Sequence, residues 1–271
     1  MSGLRLLLGV LAVVASVSVR ADIILMVHGY QGNADDWRHS GIVARLGKAG
    51  WQDGGVIFRA ASSEVIFASE PIEAGKILFT AHLPSEYPLI LQSQTLESYL
   101  QAIGERYPQE DIVLIGHSAG GVVARSALVR SSARLPVKQL ITIASPHLGT
   151  QAAELGVLAA HSPLSMIAPM LGAGTLNRSG QLYKDLLPEK PGSLLFLLNR
   201  QQHPRIDYIS LVRRKAYGLP GDLLVPEESQ HLEYVYALRG LARSVVAGYG
   251  HALHAGDAEV ILRVLDGPRS L

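Results

Sequence analysis

Asp111-Ile112-Val113-Leu114-Ile115-Gly116-His117-Ser118-Ala119-Gly120-Gly121 decides the fold class. Asp111 to Ile115 is of strand length, and after Asp111 it is apolar with no alternation, the pattern of a strand buried on both faces of a parallel sheet. From Gly120 to Arg130 the residues read as a helix. Between them stands Gly-x-Ser-x-Gly. A sharp strand-to-helix turn puts its central residue in a strained backbone conformation, and side chains two positions to either side would collide across it. Gly116 and Gly120 are therefore steric requirements of the turn, and the Ser118 hydroxyl is presented at the end of the sheet. The bare pattern arises readily by chance in a chain with 27 glycines. The buried strand before it and the helix after it are what give it meaning.

The same strand-then-helix alternation extends in both directions. Ile23 to Val27 reads as another buried strand, so a chain starting at Asp22 would begin on a central strand. Asp35-Asp36-Trp37 offers an N-cap to an amphipathic helix running to Leu46, with Gly50 as its stop. Val56 to Ala60 and Ile77 to Leu83 are strand-like, and Gln94 to Tyr107 reads as a helix stopped by Pro108. Further strands are expected at Gln139 to Ala144, Tyr208 to Val212 and Ser244 to Ala247, before a closing helix from Ala258 to Leu265. The alternation predicts an α/β fold, a mostly parallel sheet with helices on both faces. Ala61 to Lys76 and Gln151 to Gly192 break the pattern. The second is long and apolar, with Met166, Ile167, Met170 and Leu171 near its centre, and it is either a lid over a hydrophobic site or a helical insertion packed on the sheet.

A serine hydroxyl is a poor nucleophile near neutral pH and needs a base, which a third group must orient. His251 occupies a loop between the last strand and the last helix, where a sheet would present it beside Ser118. His254, three residues on, competes with it. Asp222, in the turn-rich stretch Tyr217 to Pro226, is the favoured acid over Asp185, Asp207, Glu227 and Glu228. His28-Gly29-Tyr30-Gln31-Gly32 closes the first strand with glycines that let backbone approach a ligand. The N–H groups of Tyr30 and Ala119 are then candidate donors to an oxyanion, Ala119 with the help of the helix dipole. Ser145-Pro146-His147-Leu148-Gly149-Thr150 is read as shaping the floor of the site, with His147 structural or beside the substrate.

Composition removes several classes of function. Lys and Arg total 24 against 23 for Asp and Glu, which leaves no basic field to hold a nucleic acid. With no cysteine, the chain has no disulfide framework, thiolate metal site or thiol nucleophile. Arg5 followed by the apolar run Leu6 to Val19, and small residues at Val19 and Ala21, reads as a signal peptide cleaved after Ala21. The run is shorter than the roughly 20 residues that span a bilayer. Cleavage would leave 250 residues with a formal charge of −1 and a periplasmic or secreted destination.

In four pieces, the His28-Gly29 segment, the Gly116 to Gly120 elbow, Ala144 to Thr150, and Gly221-Asp222 to Pro226, the sequence resembles the α/β-hydrolase superfamily. The likeness is to its lipase-like branch of bacterial triacylglycerol lipases and palmitoyl thioesterase-like serine hydrolases, and it covers most of residues 22 to 266. It implies a three-layer α/β-hydrolase domain over residues 22–271 and a helical cap over about 151–192. It also implies a Ser118, Asp222 and His251 triad that hydrolyses a carboxylic ester through an acyl-enzyme, with no metal or organic cofactor. The antiparallel strands that open larger members are missing. The paired Asp residues that bind calcium in some secreted lipases are not identifiable. The expected substrate is a small-molecule or lipid ester, with transient contact at a lipid interface and no protein partner inferred. Thioester or amide cleavage is the nearest alternative. A non-catalytic binding protein on the same fold is the more distant one, since an intact Ser, Asp, His and glycine set argues against it.

Overall fold

The computed structural model describes residues 22–73, 75–131, 135–160, 178–214 and 222–267. Residues 1–21, expected to be a signal peptide, and the apolar centre of the long insertion around Met166 to Leu171 lie outside the described residues. One eight-stranded sheet, in the order β3-β2-β4-β1-β5-β6-β7-β8, organises the chain. Its strands are β1 (Asp22–Val27), β2 (Gln52–Arg59), β3 (Val65–Phe67), β4 (Ile77–Ala81), β5 (Asp111–His117), β6 (Val137–Ile143), β7 (Asp207–Val212) and β8 (Ala242–Val246). All neighbours are parallel except β2 and β3.

Strand β1 does lie in the middle, between β4 and β5, with Met26 opposite Ile115 and Val27 opposite Gly116. The chain first fills the sheet on one side of β1 and then jumps across it to β5. Such a reversal of strand order opens a crevice beyond the carboxyl ends of the two strands, the usual binding place in an open α/β sheet. His28 to Gly32 and Ser118 leave β1 and β5 at that crevice.

The helices are α1 (Asp36–His39), α2 (Ile42–Lys48), α3 (Leu89–Arg106), α4 (Ala119–Arg130), α5 (Gln151–Ala160), α6 (Gly180–Asp185), α7 (Leu194–Leu198), α8 (Glu227–Gln230) and α9 (Asp257–Asp266). Side chains alternate across a strand, so the central strands feed two cores. Ile23, Leu25, Ile112 and Leu114 pack with α3 and α4 on one face. Ile24, Met26, Val113 and Ile115 pack with α2 and α9 on the other. The result is the expected three layers.

Several sequence-based boundaries are corrected. The single helix expected from Asp35 to Leu46 is two, broken at Gly41 with φ +80°, and Asp35 makes no side-chain cap. Helix α3 begins at Leu89 rather than Gln94. Pro88 sets the entry, and the Leu89 N–H, one of the four a helix leaves without an internal acceptor, donates to Asp185 Oδ2 at 2.8 Å. The excursion from Ala61 to Lys76 contains the short β3, which pairs antiparallel with β2. Strand β6 ends before Ala144, whose φ of +50° turns the chain out of the sheet. Among the described residues no helix is long and apolar enough to cross a membrane.

Candidate active site

Ser118 leaves β5 with φ +51° and ψ −129°, a strained conformation for a residue with a side chain. The neighbouring glycines make it possible. A Cβ at Gly116 would stand 2.5 Å from Gly121 Cα, and one at Gly120 would stand 2.3 Å from the His28 carbonyl oxygen. Gly121, not singled out in the sequence, is a third requirement, since its Cβ would fall 2.1 Å from Ser145 Oγ. The double glycine after the elbow was its signal.

The structure brings Ser118, His251 and Asp222 into one line of hydrogen bonds. The Ser118 hydroxyl donates to His251 Nε2 at 2.9 Å, and His251 Nδ1–H donates to Asp222 Oδ2 at 2.6 Å. Asp222 Oδ1 accepts from the N–H groups of Leu224 and Val225 at 2.9 and 3.0 Å, which aims the other oxygen at the ring. The Asp222 side chain is fully buried and the His251 side chain 19% exposed. A hydroxyl in this line can pass its proton to the imidazole as it attacks, and the resulting imidazolium is stabilised by the carboxylate behind it.

The competing residues are engaged elsewhere. His254 contacts Arg213 at 3.1 Å and Asp257 at 3.4 Å. Asp185 caps α3 and accepts from Gln181 at 2.8 Å. Asp207 accepts from Gln139 at 2.8 Å, and Glu227 pairs with Arg214 at 3.4 Å. Glu228 is exposed on α8.

Tyr30 and Ala119 both border the cavity that opens on Ser118, about 410 Å³ in volume. Ala119 is the first residue of α4, where N–H groups have no intrahelical acceptor. The loop carrying Tyr30 is closed by the Gly32 N–H to Gly29 carbonyl bond of 3.1 Å, with Gln31 in the left-handed region at φ +55°. Gly29 crosses so near the serine that a Cβ there would meet Ser118 Cβ at 2.8 Å. His28 anchors this loop. Its Nε2 accepts from the Leu83 N–H at 3.0 Å, and burial lowers its pKa, which keeps the ring neutral for that role.

His147 stays out of the cavity. It is completely buried, and its Nε2 contacts Thr142 Oγ1 at 3.0 Å. Burial first, and then the positive charge of Arg125, drive its pKa well below the ordinary imidazole value. Its segment instead clamps the acid loop. The His147 N–H donates to the Ser229 carbonyl at 2.8 Å, the Ser229 hydroxyl donates to Gly149 at 2.6 Å, and Thr150 Oγ1 bonds the Leu224 carbonyl. Pro146 and Thr150 border the cavity, as the floor reading requires.

Two supports for the His251 loop were not read from the sequence. His117 Nε2–H donates to the His251 carbonyl at 2.8 Å. Arg213, fully buried, forks onto both oxygens of Asp257 at 2.8 and 2.7 Å and reaches the Ala252 carbonyl at 3.4 Å, bracing the His251 loop from behind. The described ends of the long insertion, α5 and α6, wall the cavity with Ala152, Ala153, Gly156, Leu182, Tyr183 and Leu186. Among the described residues no group of three or more acids or histidines is arranged to hold a metal ion.

Residues 19–158 match a family model described as a PGAP1-like alpha/beta domain. That span includes the Tyr30 loop and the serine elbow and ends before Asp222 and His251. Comparison with curated protein sequences gives no match. Among solved structures, the product of the gene lin2722 from Listeria innocua superposes with a TM-score of 0.63 at 15% identity, over 93% of this chain and 96% of that one. Mature lipase BlEst2 from Bacillus licheniformis gives 0.53 at 17% identity, over 91% and 92%. MGS-M2, an alpha/beta hydrolase from a Medee basin deep-sea metagenome library, gives 0.52 at 13% identity, over 95% and 93%. At these identities the likeness establishes a shared α/β-hydrolase fold.

Proposed function

The chain belongs to the PGAP1-like alpha/beta domain family, and from that premise we propose that it is a serine hydrolase of lipase or esterase type that cleaves carboxylic esters through an acyl-enzyme. The observation that carries the reading is the unbroken line from Asp222 through His251 to the Ser118 hydroxyl, at 2.6 and 2.9 Å.

In this mechanism Ser118 Oγ attacks the ester carbonyl carbon while its proton moves to His251 Nε2, and the carbonyl π electrons shift onto oxygen. The Tyr30 and Ala119 N–H groups receive that oxyanion. As the tetrahedral species collapses, the bond to the alkoxy oxygen breaks and the leaving alcohol takes the proton from His251. Water then repeats the sequence on the acyl-enzyme: it gives a proton to His251, releases the carboxylic acid and returns the proton to Ser118. Asp222 holds the ring in the Nδ1–H tautomer and stabilises each imidazolium without itself taking a proton. The chemistry needs no metal or organic cofactor.

Aliphatic side chains from α5 and α6 border the cavity beside Ser118, which favours an uncharged acyl chain. On this reading the insertion at about 151–192 is a cap, residues 1–21 direct export to the periplasm or medium, and the substrate is a neutral or lipid ester met at or near a lipid interface.

The test is hydrolysis of p-nitrophenyl esters from two to sixteen acyl carbons by the protein from Asp22 onward, beside Ser118→Ala. The expected result is turnover that disappears in the variant, together with fluorophosphonate attachment at Ser118. Equal turnover by Ser118→Ala would overturn the assignment, and a thioester series cleaved faster than its oxygen counterpart would reassign the leaving group.

A further inference from the structure

The cap and the loop carrying Tyr30 meet at a pair of phenols. The hydroxyls of Tyr30 and Tyr183 are hydrogen-bonded to each other. Their rings lie edge to face, with centroids 5.4 Å apart and planes at 75°. Gln31 Nε2 also donates to the Tyr30 hydroxyl, at 3.2 Å. Burial, and then the bond to Tyr30, raise the pKa of the Tyr183 phenol above the ordinary value, so near neutral pH it is an uncharged hydrogen-bonding group.

Tyr183 reaches this place because α5 leaves room for it. A Cβ on Gly156 would stand 2.8 Å from the Cγ and Cδ1 atoms of the Tyr183 ring. Nothing in helix formation asks for glycine in the interior of α5, where it costs helix stability relative to alanine. Close passage of an aromatic ring gives it a reason. A second tie joins the same two regions, as Arg178, just before α6, pairs with Glu86 in the loop ahead of α3 at 2.5 Å.

The phenol of Tyr30 and its peptide N–H belong to one residue in a tight turn, so restraint on the side chain is restraint on the orientation of that N–H. We propose that Tyr183 is a positioning residue for the oxyanion donor of Tyr30, and that its ring, seated on Gly156, also bounds the space for the acyl chain. The inference rests on the function proposed above and goes further, because it makes chain fit and oxyanion stabilisation properties of one side chain. An acyl chain that lies along Leu182 and Leu186 leaves the pair closed and the donor in place. A chain that displaces the Tyr183 ring releases Tyr30 and slows the chemical step.

Tyr30→Phe, Tyr183→Phe and the double variant separate this role from packing, since each keeps its ring and the Tyr30 N–H. The measurements are kcat, KM and the rate of fluorophosphonate labelling at Ser118. Each single variant is expected to lower kcat and the labelling rate about three- to tenfold with little change in KM, the loss of one neutral hydrogen bond made to the chemical step. The double variant should be no slower than Tyr30→Phe, because that single already removes the shared bond together with the one from Gln31. Gly156→Ala should push the ring inward and shift the preferred acyl chain to shorter lengths. Losses that add in the double variant, or a KM rise with kcat intact, overturn the positioning role. An unchanged chain profile in Gly156→Ala overturns the wall. If all variants label and turn over as the wild type does, only this inference fails. If the wild type neither labels nor turns over ester, the proposed function fails and this inference with it.

Discussion

His117 Nε2 lies 2.8 Å from the carbonyl oxygen of His251, so the residue before Ser118 holds the loop that carries the proposed base. Burial, followed by proximity to His251, lowers the His117 pKa to about 4. Near neutral pH the ring is therefore a neutral donor that fixes the loop without adding a second charge beside His251. His117→Ala should lower kcat about tenfold while KM stays near the wild-type value, because orientation of the base is lost and substrate contacts are not. His117→Gln, which can offer a side-chain N–H to the same carbonyl, should recover part of the loss. Steady-state kinetics on one ester decides it, and an Ala variant with full kcat would show that the loop holds itself.

Arg213 and Asp257 form a completely buried ion pair behind the same loop. Removing one partner leaves an uncompensated charge in the core, which typically costs about 3–5 kcal/mol. Asp257→Ala should therefore lower stability by that amount and also reduce turnover, since Arg213 reaches the Ala252 carbonyl next to His251. Replacing both residues with apolar ones of similar volume should restore much of the stability and little of the activity. Urea unfolding of the two variants beside ester turnover checks the separation, and equal recovery of both properties would make the pair a stability device alone.

What could be read from the sequence divides along physical lines. Strands β1 and β5 were legible because burial on both faces leaves unbroken apolar runs, and the elbow because Gly116 and Gly120 answer a steric demand tied to a local turn. His251 and Asp222 were reachable because the end of a sheet gathers its loops in a known order, although the sequence alone left His254 and four other acids beside them, and it is the geometry that lines these two up with Ser118. Strand β3 was missed because Val65 to Phe67 is too short to show a period. The bond between Tyr30 and Tyr183 joins residues 153 apart in the sequence, and nothing local to either announces it. Arg213 and Asp257 likewise look like ordinary surface charges until the loop closes over them.

Two glycines, one at the elbow and one in helix α2, predict opposite signs from one substitution. Gly120→Ala sets a Cβ against backbone carbonyls at the end of β1 and just after it, 2.7 Å from Val27 and 2.3 Å from His28. Backbone cannot step aside as a side-chain tip can, so the variant should lose about 1–3 kcal/mol, and turnover as Ser118 moves. Gly47→Ala lies inside helix α2 with nothing within 4 Å of the new Cβ. It should stabilise by roughly 0.5–1 kcal/mol through helix propensity. Urea midpoints of the two variants should move in opposite directions, and matching shifts would refute the steric account.

Acid should unfold the protein from beneath helix α4. Arg125 on α4 is fully buried, with His203 Nε2 at 3.4 Å and the His147 carbonyl at 3.5 Å from its guanidinium. Burial lowers the Arg125 pKa to about 9, which leaves it charged at neutral pH. The His203 pKa is lowered from 6.5 to about 4 by burial and then by the Arg125 charge, and that of His147 is lowered well below 6.5 by burial and then by Arg125. Between those pH values the unfolded chain holds protons on these histidines that the folded chain does not. Stability is therefore whole above about pH 6.5 and falls as pH drops toward 4, by of the order of 3 kcal/mol for His203 alone. His203→Gln removes that titration, so its unfolding free energy should fall less steeply than the wild type's between pH 6.5 and 4.5. Urea unfolding at several pH values reads the slope directly. Parallel slopes for the two proteins would mean that the acid sensitivity resides elsewhere, with His117 the next histidine to replace.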